Sequence, residues 1–316
     1  MAGMPFNWCE RLEAGRALLL DGGTGSELRR RGHAVHADAW SAPASVTQPG
    51  LLREIHADYI LAGADVITTN TFAASRFVLV AAGLGDRSQE IARGAVAAAR
   101  DARAATGRDV AIAGSISCLP PRFDLRAYPD SRAESAAYRE LAALLAAEGA
   151  DLIALEMLED TEHAARACEA ALETGLPVWL GVSCRLRADG ALAAFDFPDT
   201  PLSGVLDALL PFAPDAVNVM HSPPEAIAPA LEAIGTRWRG VRGAYPELEG
   251  GATGVPPRTT ARVGRATHSP SELAALARGW LAAGARIVGG CCGATPAHIR
   301  ALRGLLDAAD GQSVTG

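Results

Sequence analysis

Eight short apolar runs, rich in β-branched residues, recur along the 316-residue chain, and alanine-rich segments separate them. They are ALLLDGG (17–23), ADVITTNT (64–71), DVAIAGSIS (109–117), ADLIALEM (150–157), PVWLGVSC (177–184), AVNVMH (216–221), RGVRGAYP (239–246) and ARIVGGCCG (285–293). Most are continuous rather than alternating, as strands buried on both faces of a parallel sheet are. The segments between them, among them 51–63, 88–105, 134–149 and 269–284, place apolar residues at three- and four-residue spacing, which predicts helices. Ser269 stands three residues before Glu272, with Pro270 between, and Thr295 precedes Pro296; both are helix starts. Gly63, Gly149, Gly175 and Gly284 mark helix ends. Eight β–α units of roughly 40 residues come close to the roughly 250-residue barrel plus insertions. The chain is therefore expected to be an α/β protein, a (β/α)8 TIM barrel forming a single domain over residues 1–316. An open doubly wound sheet fits less well, because DGGTGSE (21–27) lacks the Gly-x-Gly-x-x-Gly spacing. The Gly/Pro-rich stretch 247–264 is too long to be a bare connector.

Composition narrows the function classes. Hydrophobic residues at 49% supply enough apolar surface to offset chain entropy, which excludes disorder as the main state. A net charge of -7 gives no electrostatic footprint for nucleic acid or an anionic membrane. The N-terminus lacks a basic start followed by an apolar run, and no long uncharged apolar stretch predicts a membrane span. The expected compartment is cytoplasmic and reducing. Six cysteines are few for a disulfide scaffold, and thiols in that compartment tend to serve metals or catalysis.

In a β/α barrel the active site lies at the C-terminal ends of the strands. The first run ends in Asp21, Gly22 and Gly23, the second in Thr69, Asn70 and Thr71, the third in Ser115 and Ser117, and the fourth in Glu156. The fifth ends in Ser183 and Cys184, the sixth in Asn218, Met220 and His221, the seventh in Tyr245 with Glu247 just beyond, and the eighth in Cys291 and Cys292. The GGCCG run (289–293) is the sharpest of these signals. Adjacent side chains diverge on a strand, but flanking glycines let the backbone curl so that both sulfurs face one ion. Thiolates favour zinc; the plainer alternative is a pair of small buried hydrophobes. Asp21 either caps a tight turn or offers a carboxylate to an amine. Glu156 ends an apolar strand and needs a cationic partner if buried. The other histidines, His33, His36, His56, His163, His268 and His298, read as surface or capping residues. Cys9 and Cys168 read as structural, with Cys118 and Cys184 open.

Taken together in order, LLLDGGTGSELRRRG (18–32), GADVITTNTFAAS (63–75), GSIS (114–117), ADLIALEMLEDTEHA (150–164), GAYPE (243–247) and GGCCG (289–293) resemble the homocysteine S-methyltransferase family, zinc-dependent barrels that methylate a thiol. The resemblance implies Zn2+ on Cys291 and Cys292, and homocysteine's amino group held by Asp21 and Glu156. It implies weaker substrate contacts at Thr69, Thr71 and Ser115; Gly22 and Gly23, which let backbone approach, and Asn218 and Tyr245 on the same rim are further candidate substrate contacts. The implied partners are a small thiol and a methyl donor, S-methylmethionine or S-adenosylmethionine before a betaine. Two departures stand out. The family's third zinc cysteine follows an asparagine after the sixth strand, where this chain has Val219; His221, two residues on, is a candidate replacement, unless it caps the next helix or touches substrate, and Met220 offers a thioether less usual for zinc. Glu247 stands where the family more often has asparagine. These departures keep open a different thiol acceptor, or a barrel that binds metal or a small molecule without the usual catalysis.

Overall fold

The computed structural model describes residues 7–249 and 266–313. Its strands are β1 (Leu18–Leu19), β2 (Val66–Thr68), β3 (Ala111–Ser117), β4 (Leu152–Leu158), β5 (Val178–Val182), β6 (Cys184–Leu186), β7 (Leu192–Ala194), β8 (Ala216–Met220), β9 (Val241–Tyr245) and β10 (Ala285–Val288). Eight of these form one parallel sheet in the order β1-β10-β9-β8-β5-β4-β3-β2. A parallel bridge from Leu20 to Val66 joins its two ends, so the sheet closes into a barrel. Each of the eight apolar runs holds one barrel strand. Helices follow each in turn, from Pro49–Ala62 and Ser88–Thr106 to Pro270–Ala282 and Pro296–Ser313. Ser269 and Glu272 form a reciprocal capping box. Gly63 and Gly149 end their helices at φ 108° and 99°, where a Cβ would be strained. Most of the loop expected over 247–264 lies outside the described residues. Among those described, no helix is long and apolar enough to cross a membrane.

Strand alternation divides the core into two layers. Leu18, Ala111, Ala113, Leu152, Ala154, Ala216, Met220 and Ile287 fill the barrel interior. Leu19, Ile112, Ile153, Leu155, Val217 and Val219 pack outward against the helices. Continuous apolar sequence is thus buried on both sides, as the strand runs require. Trp8, on the helix Trp8–Glu13, meets Trp179 edge-on at 5.3 Å and seals the interior near the strand starts. Asp65, Asp151 and Asp215 each accept the backbone N–H of a neighbouring strand, from Leu19, Ile112 and Val178 respectively. Three aspartates therefore fasten the N-terminal end, away from the rim.

The antiparallel β6–β7 pair lies outside the barrel sheet and was not anticipated from the apolar runs. Two single-residue expectations also change. His56 is fully buried in its helix, not at the surface, and burial lowers its pKa to about 4, so it packs as a neutral ring. Cys9 is exposed, whereas Cys118, Cys168 and Cys184 are buried.

Candidate functional site

The fourth and first strands bring two carboxylates into the barrel mouth. On β4, Leu152 and Ala154 point inward, and the period of two places Glu156 inward as well. Its Oε2 accepts a 2.5 Å hydrogen bond from the Ser115 hydroxyl on the adjacent β3. Asp21 follows β1 and accepts from the Thr68 backbone N–H at 2.8 Å and the Thr68 hydroxyl at 3.0 Å. Both carboxylates are buried. Burial raises Asp21 to about 8, against the Thr68 bonds, and the charge of Glu156 adds to the rise. Burial likewise raises Glu156 to about 7, while the hydroxyls of Ser115 and Tyr245 act in the other direction. Among the described residues neither carboxylate has an ion-pair partner of its own. Two desolvated acids face one mouth, where a ligand's cationic group could offset the cost of their charge.

The remaining polar residues of this region are mostly tied to one another. The hydroxyls of Thr69 and Thr71 lie 2.7 Å apart, Thr69 accepts from the Ser115 N–H, and Thr71 donates to the Ser115 carbonyl. These bonds lock the end of β2 to β3 and so steady Ser115 under Glu156. Asn218 lies inward between Gly181 and Gly243, one layer below Met220, and its Oδ1 has no partner among the described residues. A Cβ at Gly243 would come within 2.1 Å of that oxygen. Gly22 and Gly23 bring backbone segments close. A Cβ on Gly22 would meet the Ala294 carbonyl at 2.5 Å, and one on Gly23 the Cys291 carbonyl at 2.7 Å.

That close approach seats the cysteine pair. After β10, the Gly290 N–H donates to the Asp21 carbonyl, the Cys291 N–H to the Pro246 carbonyl, and the Cys292 carbonyl accepts from the Leu248 N–H. The pair is thereby pinned between the loops after β1 and β9, and its sulfurs lie 4.0 Å apart. His221 completes the group. Its Nδ1 is 3.6 Å from the Cys291 sulfur, and the ligating atoms of all three residues lie within 4.8 Å of one another. Tetrahedral zinc, with Zn–S about 2.3 Å and Zn–N about 2.0 Å, places neighbouring ligand atoms roughly 3.6–3.8 Å apart. The donor types suit zinc, and the 3.6 Å and 4.0 Å spacings lie near those values. The cysteines share a proton unevenly. The Cys291 thiol, donating toward Cys292, holds Cys292 well below the usual thiol range, and the charge on Cys292 pushes Cys291 up. Burial opposes a charge on His221, but the Cys292 thiolate and the carboxylates of Glu247 and Glu159 outweigh it and raise the ring to about 9.

Val219, where a third cysteine was expected, packs outward into the helix layer. A side chain there faces away from the sulfurs. The position that faces them is 221, because the backbone turns left-handed at His221, with φ 43°. That step ends the strand alternation and brings the ring onto the rim. A non-glycine residue held at positive φ costs on the order of 1–3 kcal/mol and often marks a functional site.

Two neighbours escaped the sequence reading. Thr68, which orients Asp21, lies within the second apolar run, one residue before the rim residues Thr69, Asn70 and Thr71. Phe195 meets His221 edge-on at 5.2 Å and comes from just after β7, on the overlooked hairpin. An Asp189–Gly190 turn between Leu186 and Leu192 was the available hairpin signal.

A solved structure of the homocysteine methyltransferase MmuM from Escherichia coli, in its metallated form, superposes with a TM-score of 0.71, 26% identity, and coverage of 93% of this chain and 98% of that one. Homocysteine S-methyltransferase from Escherichia coli K12 is 30% identical over 90% of this chain and 94% of its own length. Homocysteine S-methyltransferase 4 of maize is 29% identical over 92% and 89% respectively. The family model for homocysteine S-methyltransferase matches residues 18–306, which span every barrel strand and every residue of the site just described, and the chain therefore belongs to the homocysteine S-methyltransferase family.

Proposed function

We propose that this enzyme transfers a methyl group from a small sulfonium or ammonium donor, S-methylmethionine or S-adenosylmethionine foremost, to the thiol of homocysteine, giving methionine, with zinc as cofactor. The observation that carries the reading is one mouth holding two kinds of site side by side. Asp21 and Glu156 suit the ammonium of an amino acid. Cys291, Cys292 and His221 suit a zinc ion that keeps a fourth position for a thiol. Homocysteine carries both groups, and an acceptor lacking the amine would leave two buried acids without a counter-charge.

Asp21 and Glu156 ionise fully when the ammonium arrives, and its charge compensates their burial. Thr68 and Ser115 hold the two carboxylates in register, so the ammonium is fixed at two points. Cys291, Cys292 and His221 would hold the metal, whose chemistry is to bring a thiol of ordinary pKa about 8.5 into its thiolate form at neutral pH. The acceptor sulfur then forms a bond to the methyl carbon as the donor's bond to that carbon breaks. The bonding pair leaves with the donor, which becomes a neutral thioether or amine. By anchoring the amine and the sulfur together, the rim fixes the line of attack, a contribution of positioning. We further propose a reducing, cytoplasmic setting, in which two free sulfurs 4.0 Å apart stay reduced.

The test is a matrix of donors against thiols, using purified chain with measured zinc content. Methionine is expected from homocysteine and at least one sulfonium donor, with zinc near one equivalent. No methionine with any sulfonium or betaine donor overturns the reading.

A further inference from the structure

Glu247 and His221 face each other. The imidazole Nε2 lies 3.7 Å from Glu247 Oε2, while the opposite nitrogen, Nδ1, lies 3.6 Å from the Cys291 sulfur. The backbone builds this arrangement. The His221 N–H donates to the Tyr245 carbonyl and the Glu247 N–H to the Ser222 carbonyl, so the segments after β8 and β9 are zipped on both sides of the pair. Pro246 and Leu248, which flank Glu247, bond to Cys291 and Cys292 respectively. A carboxylate is thus fixed behind the one nitrogen donor of the set.

We propose that Glu247 is a positioning residue for the metal centre, and that it acts with His221 as a two-residue replacement for a third thiolate. A carboxylate at Nε2 keeps a proton on that nitrogen and leaves the Nδ1 lone pair toward the sulfurs. It also corrects the charge. Three thiolates on a divalent ion make a centre of net minus one; two thiolates and a neutral imidazole make it zero; an ionised Glu247 beside the imidazole returns the group toward minus one. A more negative centre holds the substrate sulfur less tightly and leaves it more nucleophilic. The two departures noted in the sequence, at the sixth and seventh strands, then form one paired change rather than two independent losses.

The inference rests on the zinc reading, and the experiment separates the two. Zinc affinity is measured by competition with a chromophoric chelator on the full chain, in the wild type, Glu247→Gln, His221→Cys and the double variant. In the histidine background, Glu247→Gln is expected to weaken zinc binding by about 10–100-fold, the usual effect of losing a carboxylate behind a ligating histidine. In the cysteine background the same change is expected to cost less than about 3-fold, since no imidazole remains to orient. A purely structural role would weaken binding equally in both backgrounds, and that result overturns the inference. So does wild-type affinity in Glu247→Gln while the wild type binds zinc. A wild-type chain that binds no zinc overturns the zinc reading and the inference together.

Discussion

Glu156→Gln should make the protein more stable and a worse catalyst, and both effects can be sized. The substitution keeps the shape and one oxygen for the Ser115 hydroxyl, but removes the charge. Removing one partner of a buried charge pair costs about 2–5 kcal/mol of binding. Asp21 remains as a second anion in the same mouth, so the lower end applies, about 2–3 kcal/mol. At 1.4 kcal/mol per tenfold, kcat/KM for homocysteine falls roughly 30- to 150-fold. A thiol acceptor of similar length without the amino group has no ammonium to lose and should react with both proteins at rates within about 3-fold of each other. The stability effect has the opposite sign. A carboxyl raised from 4.5 unfolded to about 7 folded is protonated more readily in the fold. The stability of the neutral form is fully present below pH 4.5 and is lost as pH rises through the window to about 7; above it, relative to a side chain that cannot ionise, the loss is constant. The shift amounts to about 3 kcal/mol above the window. Glutamine cannot ionise, so the metal-free variant should resist urea better than wild type at pH 8 and lose that advantage toward pH 4.5. Two results refute the reasoning: equal losses of kcat/KM on both thiols, or a variant less stable than wild type at pH 8.

Other consequences follow from the same rim. Binding of an amino-acid thiol at pH 7 should release between about one and one and a half protons from Asp21 and Glu156, because the ammonium draws both below their raised values of about 8 and about 7; calorimetry in buffers of different ionisation enthalpy, run on the Cys291→Ser chain so that the thiol proton does not contribute, reads it directly. Gly23→Ala should reduce zinc content and unfold at lower temperature, since its Cβ would lie 2.7 Å from the Cys291 carbonyl and push the cysteine loop outward; unchanged zinc stoichiometry would show the loop to be freer than drawn. Val219→Cys should leave zinc content unaltered and fail to rescue His221→Ala, because that side chain faces the helices; rescue would place position 219 on the rim after all.

The barrel was legible in the sequence because its two periods are coarse. A strand buried on both faces needs only an unbroken apolar run, and the helices between announce themselves by spacing and by caps such as Ser269 and Gly63. The β6–β7 pair was not legible by that rule. Leu192, Ala193 and Ala194 are too short and too weakly β-branched to register as a run, and only the Asp189–Gly190 turn betrays them. Yet that hairpin delivers Phe195 to the side of His221.

Within the site, legibility depended on how each residue is placed. Glu156 is an inward residue at the end of a regular strand, so counting by two finds it. Cys291 and Cys292 announce themselves through their glycines. His221 is different. Counting by two along β8 sets Ala216, Asn218 and Met220 inward and Val217 and Val219 outward, and would send residue 221 outward as well. One backbone angle reverses this: at φ 43° the chain leaves the strand period and lays the imidazole beside the sulfurs. The energy of that turn is of the order of a single hydrogen bond, and no local sequence pattern specifies it, since histidine has only a mild preference for the left-handed region. What supports it is non-local: the His221 N–H on the Tyr245 carbonyl, and the Glu247 N–H on the Ser222 carbonyl. A motif comparison that aligns residues one by one therefore looks beside the sulfurs for residue 219, while the closed barrel places His221 there.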